Sequence, residues 1–269
     1  MDKNLLDKRI NEILNEQGFI RVSELAKEFG ITESSMNYTL KKDGYRKKDI
    51  FVQLPTGYIK SFEQVSEEGS YWLGYLQADG CINSSNNRLR LILECNVLDV
   101  EILENFCKFT NINTKRIKET THKNTSGTIS KAVRLDLYST SFSVFPDKWI
   151  LQNKSKLNIE LPNDVSFYDY LLGLIDGDGG FYKGQKGSQL KLLCRKPMLD
   201  QIVEKLQQDL PIPTSIWVSK HPKTEGLYEL IVGNGIDNQN FKYLYNKFYE
   251  NKTYNSLQRK KEKMEQIMS

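Results

Sequence analysis

Histidine and cysteine are scarce in this chain. Two histidines (His122, His221) and four cysteines (Cys81, Cys95, Cys107, Cys194) are scattered over 269 residues, with no CxxC pair. That spacing excludes a zinc finger, argues against a disulfide framework and leaves little for a histidine-based triad. Any metal here would be a hard cation held by carboxylates and backbone oxygens. Long apolar runs are also missing, because Gly or charge interrupts every one, so no membrane span is expected. The opening Met1-Asp2-Lys3-Asn4 leads straight into an amphipathic pattern, without the apolar core of a signal peptide. The expectation is a cytoplasmic protein with no membrane partner. Hydrophobic residues still reach 39% and charged residues 27%, enough to bury a core and too balanced for disorder.

The net charge of +4 says little, but its distribution says more. Between Lys108 and Lys131 the bases Lys115, Arg116, Lys118 and Lys123 face a single acid, Glu119. Between Gly179 and Leu199 stand Lys183, Lys186, Lys191, Arg195 and Lys196 and no acid. The stretch 41–60 and the tail Arg259-Lys260-Lys261 add two more basic clusters. Four such clusters point to a polyanionic partner.

Residues 4–16 carry Leu5, Leu6, Ile10, Ile13 and Leu14 at helical spacing, with Gly18 as a stop. Ser23 caps a predicted short helix ending at Phe29, Gly30 permits a tight turn, and Thr32 caps a third helix. That third helix turns Met36 and Leu40 inward and Ser34, Ser35, Asn37, Tyr38 and Lys41 outward. Helix, glycine turn, helix is a helix-turn-helix pattern, whose second helix can lie in a major groove. The run Glu24-Leu-Ala-Lys-Glu-Phe-Gly-Ile-Thr32 resembles the winged helix-turn-helix modules of bacterial repressors. An ordinary three-helix cap without a DNA contact is the alternative. Residues 43–66 read as a wing or linker.

The rest of the chain is an internal repeat. Tyr71-Trp-Leu-Gly-Tyr-Leu-Gln-Ala-Asp-Gly-Cys-Ile82 aligns without gaps to Tyr170-Leu-Leu-Gly-Leu-Ile-Asp-Gly-Asp-Gly-Gly-Phe181. Predicted strands follow at 88–94 and 189–195, then amphipathic helices opening near Leu98 and Leu199. Further strands are expected at 115–120 and 132–138, and at 214–218 and 226–232. Aromatic-rich helices near 141–151 and 239–250 close the two halves, and a basic helix from about Ser256 closes the chain. The predicted fold class is α+β. Two pseudo-symmetric αββαββα units (61–163 and 164–269) form a saddle of antiparallel sheets behind a small helical domain (1–60).

Small residues one turn apart, Gly74 and Ala78 in one helix and Gly173 and Gly177 in the other, form flat faces where helix backbones can approach closely. Each predicted helix ends at Asp-Gly (Asp79-Gly80, Asp178-Gly179), where the glycine is expected to turn left-handed. Helix C-termini carry partial negative charge and unpaired carbonyls, so two carboxylates emerging there suit a cation.

The paired motifs resemble the signature of LAGLIDADG homing endonucleases in their two-motif, single-chain form. The second copy is close to the consensus. The first departs at Trp72 and carries Gln77 where an acid is common. The linker Asn153-Lys-Ser-Lys-Leu-Asn-Ile-Glu-Leu-Pro162 and the tail Tyr254-Asn-Ser-Leu-Gln-Arg-Lys-Lys261 also look like that family. The resemblance implies catalytic and metal-binding roles for Asp79 and Asp178, with the carbonyls of Ala78 and Gly177 completing a Mg²⁺ (or Mn²⁺) site. It implies a structural role for Asp176, since the metal acid is the one before the final glycine, and for the same reason Gln77 leaves both metal acids in place. It also implies a basic residue near the metals, which the residues alone do not single out.

The implied activity is site-specific cleavage of double-stranded DNA by a monomer, associated with the nucleoid when bound to it. Lys115, Arg116, Lys183 and Lys186, with Arg88, Arg90, Lys191 and Arg195 on strand faces away from the helices, are the DNA-facing candidates of the repeats. Two other readings stay open. One is a DNA-binding regulator of the same fold that no longer cleaves, and the other is a maturase whose partner is an intron RNA.

Overall fold

The structure is a computed structural model that describes residues 3–17, 22–42, 65–85, 88–123, 127, 129–139, 160–184, 187–222 and 224–269. The predicted wing up to residue 64, the predicted helix at 141–151 and Lys186 lie outside these residues. No helix among the described residues is long and apolar enough to cross a membrane. The chain divides into two compact units, one within residues 1–63 and 81–149, the other within 64–80 and 150–269.

The first unit opens with three helices, α1 (Lys3–Gln17), α2 (Val22–Glu28) and α3 (Glu33–Lys42). Leu6, Ile10 and Ile13 pack with Val22, Leu25, Ala26, Met36 and Leu40 in one small core, the apolar spacing the periodicity required. Ser23 is not the expected cap. Val22 already belongs to α2 and is buried, because the core needs it one residue earlier. At the other end of α2, Gly30 takes φ +65°, its N–H bonding Lys27 O while Ile31 N–H bonds Ala26 O. These paired bonds close the helix through a left-handed glycine. Thr32 does cap α3, accepting from Ser35 N–H at 3.2 Å.

The same unit carries a sheet of β1 (Cys81–Ser85), β2 (Arg88–Asn96), β3 (Ile117–Lys123) and β4 (Ile129–Ser139), antiparallel in the order β1-β2-β4-β3. Leu91 pairs with Leu137 and Leu93 with Leu135, forming a buried face. The second unit holds both motif helices, α4 (Glu67–Asp79) and α6 (Phe167–Asp178). Between them in the chain, α5 (Val100–Thr110) contributes the buried residues Ile102, Leu103, Phe106 and Cys107 to the first unit.

The sheet of the second unit runs β5 (Gly179–Gly184), β6 (Gly187–Arg195), β7 (Ile216–Lys220) and β8 (Leu227–Gly233), in the order β5-β6-β8-β7. Helices α7 (Lys196–Asp209), α8 (Gln239–Tyr249) and α9 (Gln258–Met268) complete it. The two sheets share strand order and β-hairpin register, Cys81 opposing Ile92 as Gly180 opposes Lys191. The α+β class and the internal repeat read from the sequence are therefore present. Compactness nevertheless groups α4 with the second repeat, because it packs along α6.

Candidate functional site

The motif helices meet backbone to backbone. A Cβ on Gly74 would stand 2.0 Å from the Tyr170 carbonyl oxygen, and one on Gly173 would stand 2.0 Å from that of Tyr71. Each glycine thus opens room for the other helix, in a reciprocal, pseudo-twofold exchange. One turn on, a Cβ on Gly177 would lie 2.3 Å from Ala78 Cβ and 3.3 Å from Asp79 Cγ. The small faces expected from spacing are the ones in contact.

Asp79 and Asp178 are the last residues of α4 and α6. Asp79 is half-buried and its carboxyl carbon lies beside Gly177, while Asp178 is exposed. The glycines after them do not turn left-handed. Gly80 has φ −68° and Gly179 φ −117°, both extended, with their N–H groups still bonding Leu76 O and Ile175 O. Glycine is required there for space. A Cβ on Gly80 would meet Leu76 O at 2.5 Å, and one on Gly179 would meet Lys191 O and Ile175 Cα at 2.9 Å. The strand must leave the helix end immediately, and only a residue without a side chain passes.

Asp176 behaves as a buried structural acid. At 3% exposure, its Oδ2 accepts from Tyr71 O–H and from Leu257 N–H, both at 2.8 Å. Burial pushes its carboxyl up to about 6, opposed by the Lys260 charge, the Leu257 N–H and the Tyr71 hydroxyl. Asp169, one helical stretch earlier and also buried, accepts from Tyr254 O–H and Ser166 O–H, and pairs with Lys252 at 2.8 Å. Ser166 N–H in turn bonds Ser70 Oγ on α4 at 2.9 Å. The acids of α6 that face away from its end fasten the tail and α4 to it.

Lys260 departs from the solvated basic tail that its run suggests. It is 6% exposed, and its ammonium donates to Ile175 O and Asp176 O at 2.6 Å and to Gly179 O at 2.9 Å. Three donors meet three carbonyls, so the C-terminal end of α6 already carries one fixed positive charge. The signal was available in the spacing of Leu257, Lys260, Met264 and Ile267, which puts the lysine on the buried face of α9.

Among the described residues, no group of three or more His, Cys, Asp or Glu gathers to hold a metal. Burial pushes the Cys194 thiol up to about 12, with the Asp178 charge adding to it, so no thiolate is on offer. What remains is a pair of carboxylates at adjoining helix C-termini, with backbone carbonyls beside them. That donor set is all oxygen and sparse, which fits a hard divalent cation that keeps most of its waters.

The candidate DNA-facing residues divide. On β6, Lys191 and Arg195 sit on the sheet face opposite to buried Leu190 and Leu192, as alternation required. Lys183 is exposed but falls on the other parity, opposite buried Ser188. Arg116 is corrected outright: it is 7% exposed and its Nη2 donates to Asp136 O at 2.9 Å, so it is a core residue. Lys115 is exposed beside it. Arg88 and Arg90 occupy β2 opposite Ser85 and Asn83. On α3, Ser34, Ser35 and Lys41 are exposed, Asn37 is half-buried and Tyr38 is 72% exposed. The outer faces are also less basic than the sequence suggested, because Glu229 pairs with Lys191 at 3.4 Å and Glu94 with Arg134 at 3.6 Å.

No family model matches the chain, and no curated protein matches it. Among solved structures, it is similar to the homing endonuclease I-WcaI bound to its DNA recognition sequence, at 15% identity and TM-score 0.48, over 76% of this chain and 92% of that one. It is also similar to the N-terminal LAGLIDADG domain of DUF199/WhiA, at 12% identity and TM-score 0.44, over 75% and 94%. Function has to be sought in the chemistry of the two helix ends.

Proposed function

We propose that the chain is a metal-dependent, site-specific endonuclease of double-stranded DNA, with Asp79 and Asp178 as its catalytic, metal-holding acids. The observation that carries this reading is the meeting of two helix C-termini at Gly177, each ending in a carboxylate. Mg²⁺ or Mn²⁺ would be held by these acids with the carbonyls of Ala78 and Gly177. When bound, such an ion supplies an activated water and neutralises charge developing on a phosphodiester. The chain's own residues do the rest. Gly74 and Gly173 let the helices approach, the Asp176 and Asp169 networks fix α6, and Lys260 holds its last carbonyls. Lys191 and Arg195 on the second sheet, with Lys115 on the first unit, supply positive charge for phosphates. Two motifs on one chain provide both acids, so a monomer suffices. Helix α3 adds a separate contact through Tyr38, Ser35 and Lys41.

The sparse acid set favours a second reading, a DNA-binding regulator that does not cleave. Incubating the protein with a randomised plasmid library and Mg²⁺, then sequencing new ends, decides between them. Defined double-strand ends that vanish with EDTA support the nuclease. Retention of duplex without any ends supports the regulator.

A further inference from the structure

Between α8 and α9 the chain runs along the two motif helices and touches both of them repeatedly. Lys252 Nζ lies 2.8 Å from Asp169 Oδ1 on α6 and 3.5 Å from Glu67 Oε2 on α4. Two residues on, buried Tyr254 donates its hydroxyl to Asp169, and its ring centroid lies 5.0 Å from that of Tyr71 on α4. Leu257 then gives its N–H to Asp176 Oδ2, the same oxygen that accepts the Tyr71 hydroxyl. Each of these three contacts joins α4 to α6 through the tail. Residues 252–257 therefore form a strap across the pair.

Three physical points decide what such a strap does. Interlocking side-chain ridges fix the angle and register of ordinary helix pairs, whereas Gly74 and Ala78 against Gly173 and Gly177 present almost none. Faces of this kind allow close approach but only weakly oppose twisting or sliding, so polar contacts beside the seam set where the helix ends stand. A helix also carries a displacement along its length. Glu67 opens α4 and Asp79 closes it, about 18 Å away at 1.5 Å per residue. Finally, holding the fold is an incomplete account of the strap. Buried Asp169 needs the ammonium and the hydroxyls for its charge, but it does not need Glu67 or the Tyr71 ring on the other helix.

We infer that Lys252 and Tyr254 are positioning residues for the metal pair, because the strap they anchor sets where Asp79 stands relative to Asp178. This rests on the metal-site reading and adds the tail of the chain to it. In the test, Mn²⁺ alone is titrated into the full-length protein without DNA, and the free ion is followed by electron paramagnetic resonance. Wild type, Y254F, K252M, D178N and I202A are compared, each with a thermal melt. I202A truncates a buried residue of α7 and is the control for lost stability alone.

Wild type is expected to bind Mn²⁺ and D178N to lose that binding. Y254F and K252M are expected to bind roughly 10- to 100-fold more weakly while still folded, as happens when the support of a ligand is removed. Y254F deletes one hydroxyl and keeps the ring, so it carries the comparison even if K252M does not fold. I202A is expected to melt earlier than wild type and to bind Mn²⁺ equally well. Wild-type affinity in Y254F overturns the inference and leaves the metal reading standing. Equal weakening in I202A and Y254F reduces the effect to lost stability and overturns it too. No binding by wild type, or unchanged binding in D178N, overturns the metal reading and this inference with it.

Discussion

Gly74 lies so close to the backbone of Tyr170 that a Cβ would stand 2.0 Å from its carbonyl oxygen, and Gly173 stands in the same relation to Tyr71. Helix backbones must move before any side chain fits at either glycine. G74A and G173A are therefore each expected to lose about 1–3 kcal/mol or more in urea unfolding. Stability unchanged in both would remove this packing from the account.

The next turn gives a sharper version. A Cβ at Gly177 clashes with a single methyl, Ala78 Cβ, at 2.3 Å. G177A alone is expected to destabilise, and A78G in the same chain to restore most of the loss. A double-mutant cycle measures this as a coupling of about 0.5–3 kcal/mol. Simple additivity would mean the two residues do not meet.

Burial of Asp176 predicts a pH dependence. Its carboxyl is raised from 3.8 to about 6 in the folded chain. Below pH 4 it is neutral in both folded and unfolded states and costs nothing. As pH rises through 6 it ionises in the folded chain against burial, so stability is lost across that window and stays lost above it. The shift corresponds to a loss on the order of 3 kcal/mol. D176N carries no such charge, so its stability relative to wild type is expected to improve between pH 4 and pH 7. A constant difference across that range would contradict the assignment.

Lys260 supplies three hydrogen bonds to carbonyls at the end of α6 and a positive charge beside Asp176. K260M is expected to cost about 3–5 kcal/mol by leaving a buried acid without its counter-charge. K260R is not expected to rescue it, since a planar fork cannot replace three converging donors. Chemical denaturation of the three proteins checks both statements, and a K260M loss below about 1 kcal/mol would sink the first.

Much of this was legible in the sequence because short-range rules produce it. The gapless repeat marked where two equivalent helices end, and small residues at i and i+4 marked the faces that meet. The extended backbone at Gly80 and Gly179 was not legible, because a left-handed exit and a crowded extended exit both demand glycine. Arg116 looks like a surface base within a basic run, and only packing assigns it to the interior, whereas the helical spacing of Lys260 with Leu257, Met264 and Ile267 already marked its buried face. Glu94, Asp136 and Glu229 escape notice as partners on the outer faces, because charge along a segment does not reveal pairs across strands or two residues along one.

Helix α3 offers a surface test that leaves the core alone. Ser35, Tyr38 and Lys41 are exposed, whereas Met36 and Leu40 pack inside. A triple alanine substitution of the exposed three is expected to keep the melting temperature, weaken duplex binding and lower the salt slope by about 1. Unchanged affinity and slope would make these helices a cap or a partner-binding surface.

The central claim is that Asp79 and Asp178 together make a cleaving metal site, and the direct measurement is cutting by the two single asparagine variants. Wild type, D79N and D178N are incubated with the randomised plasmid library and Mg²⁺, and double-strand ends and duplex retention are measured in parallel. The account predicts defined ends from wild type, none with EDTA, and none from either variant, with retention largely intact in all three. Wild-type rates of cutting by either variant, or duplex retention by wild type without any cutting, would contradict it.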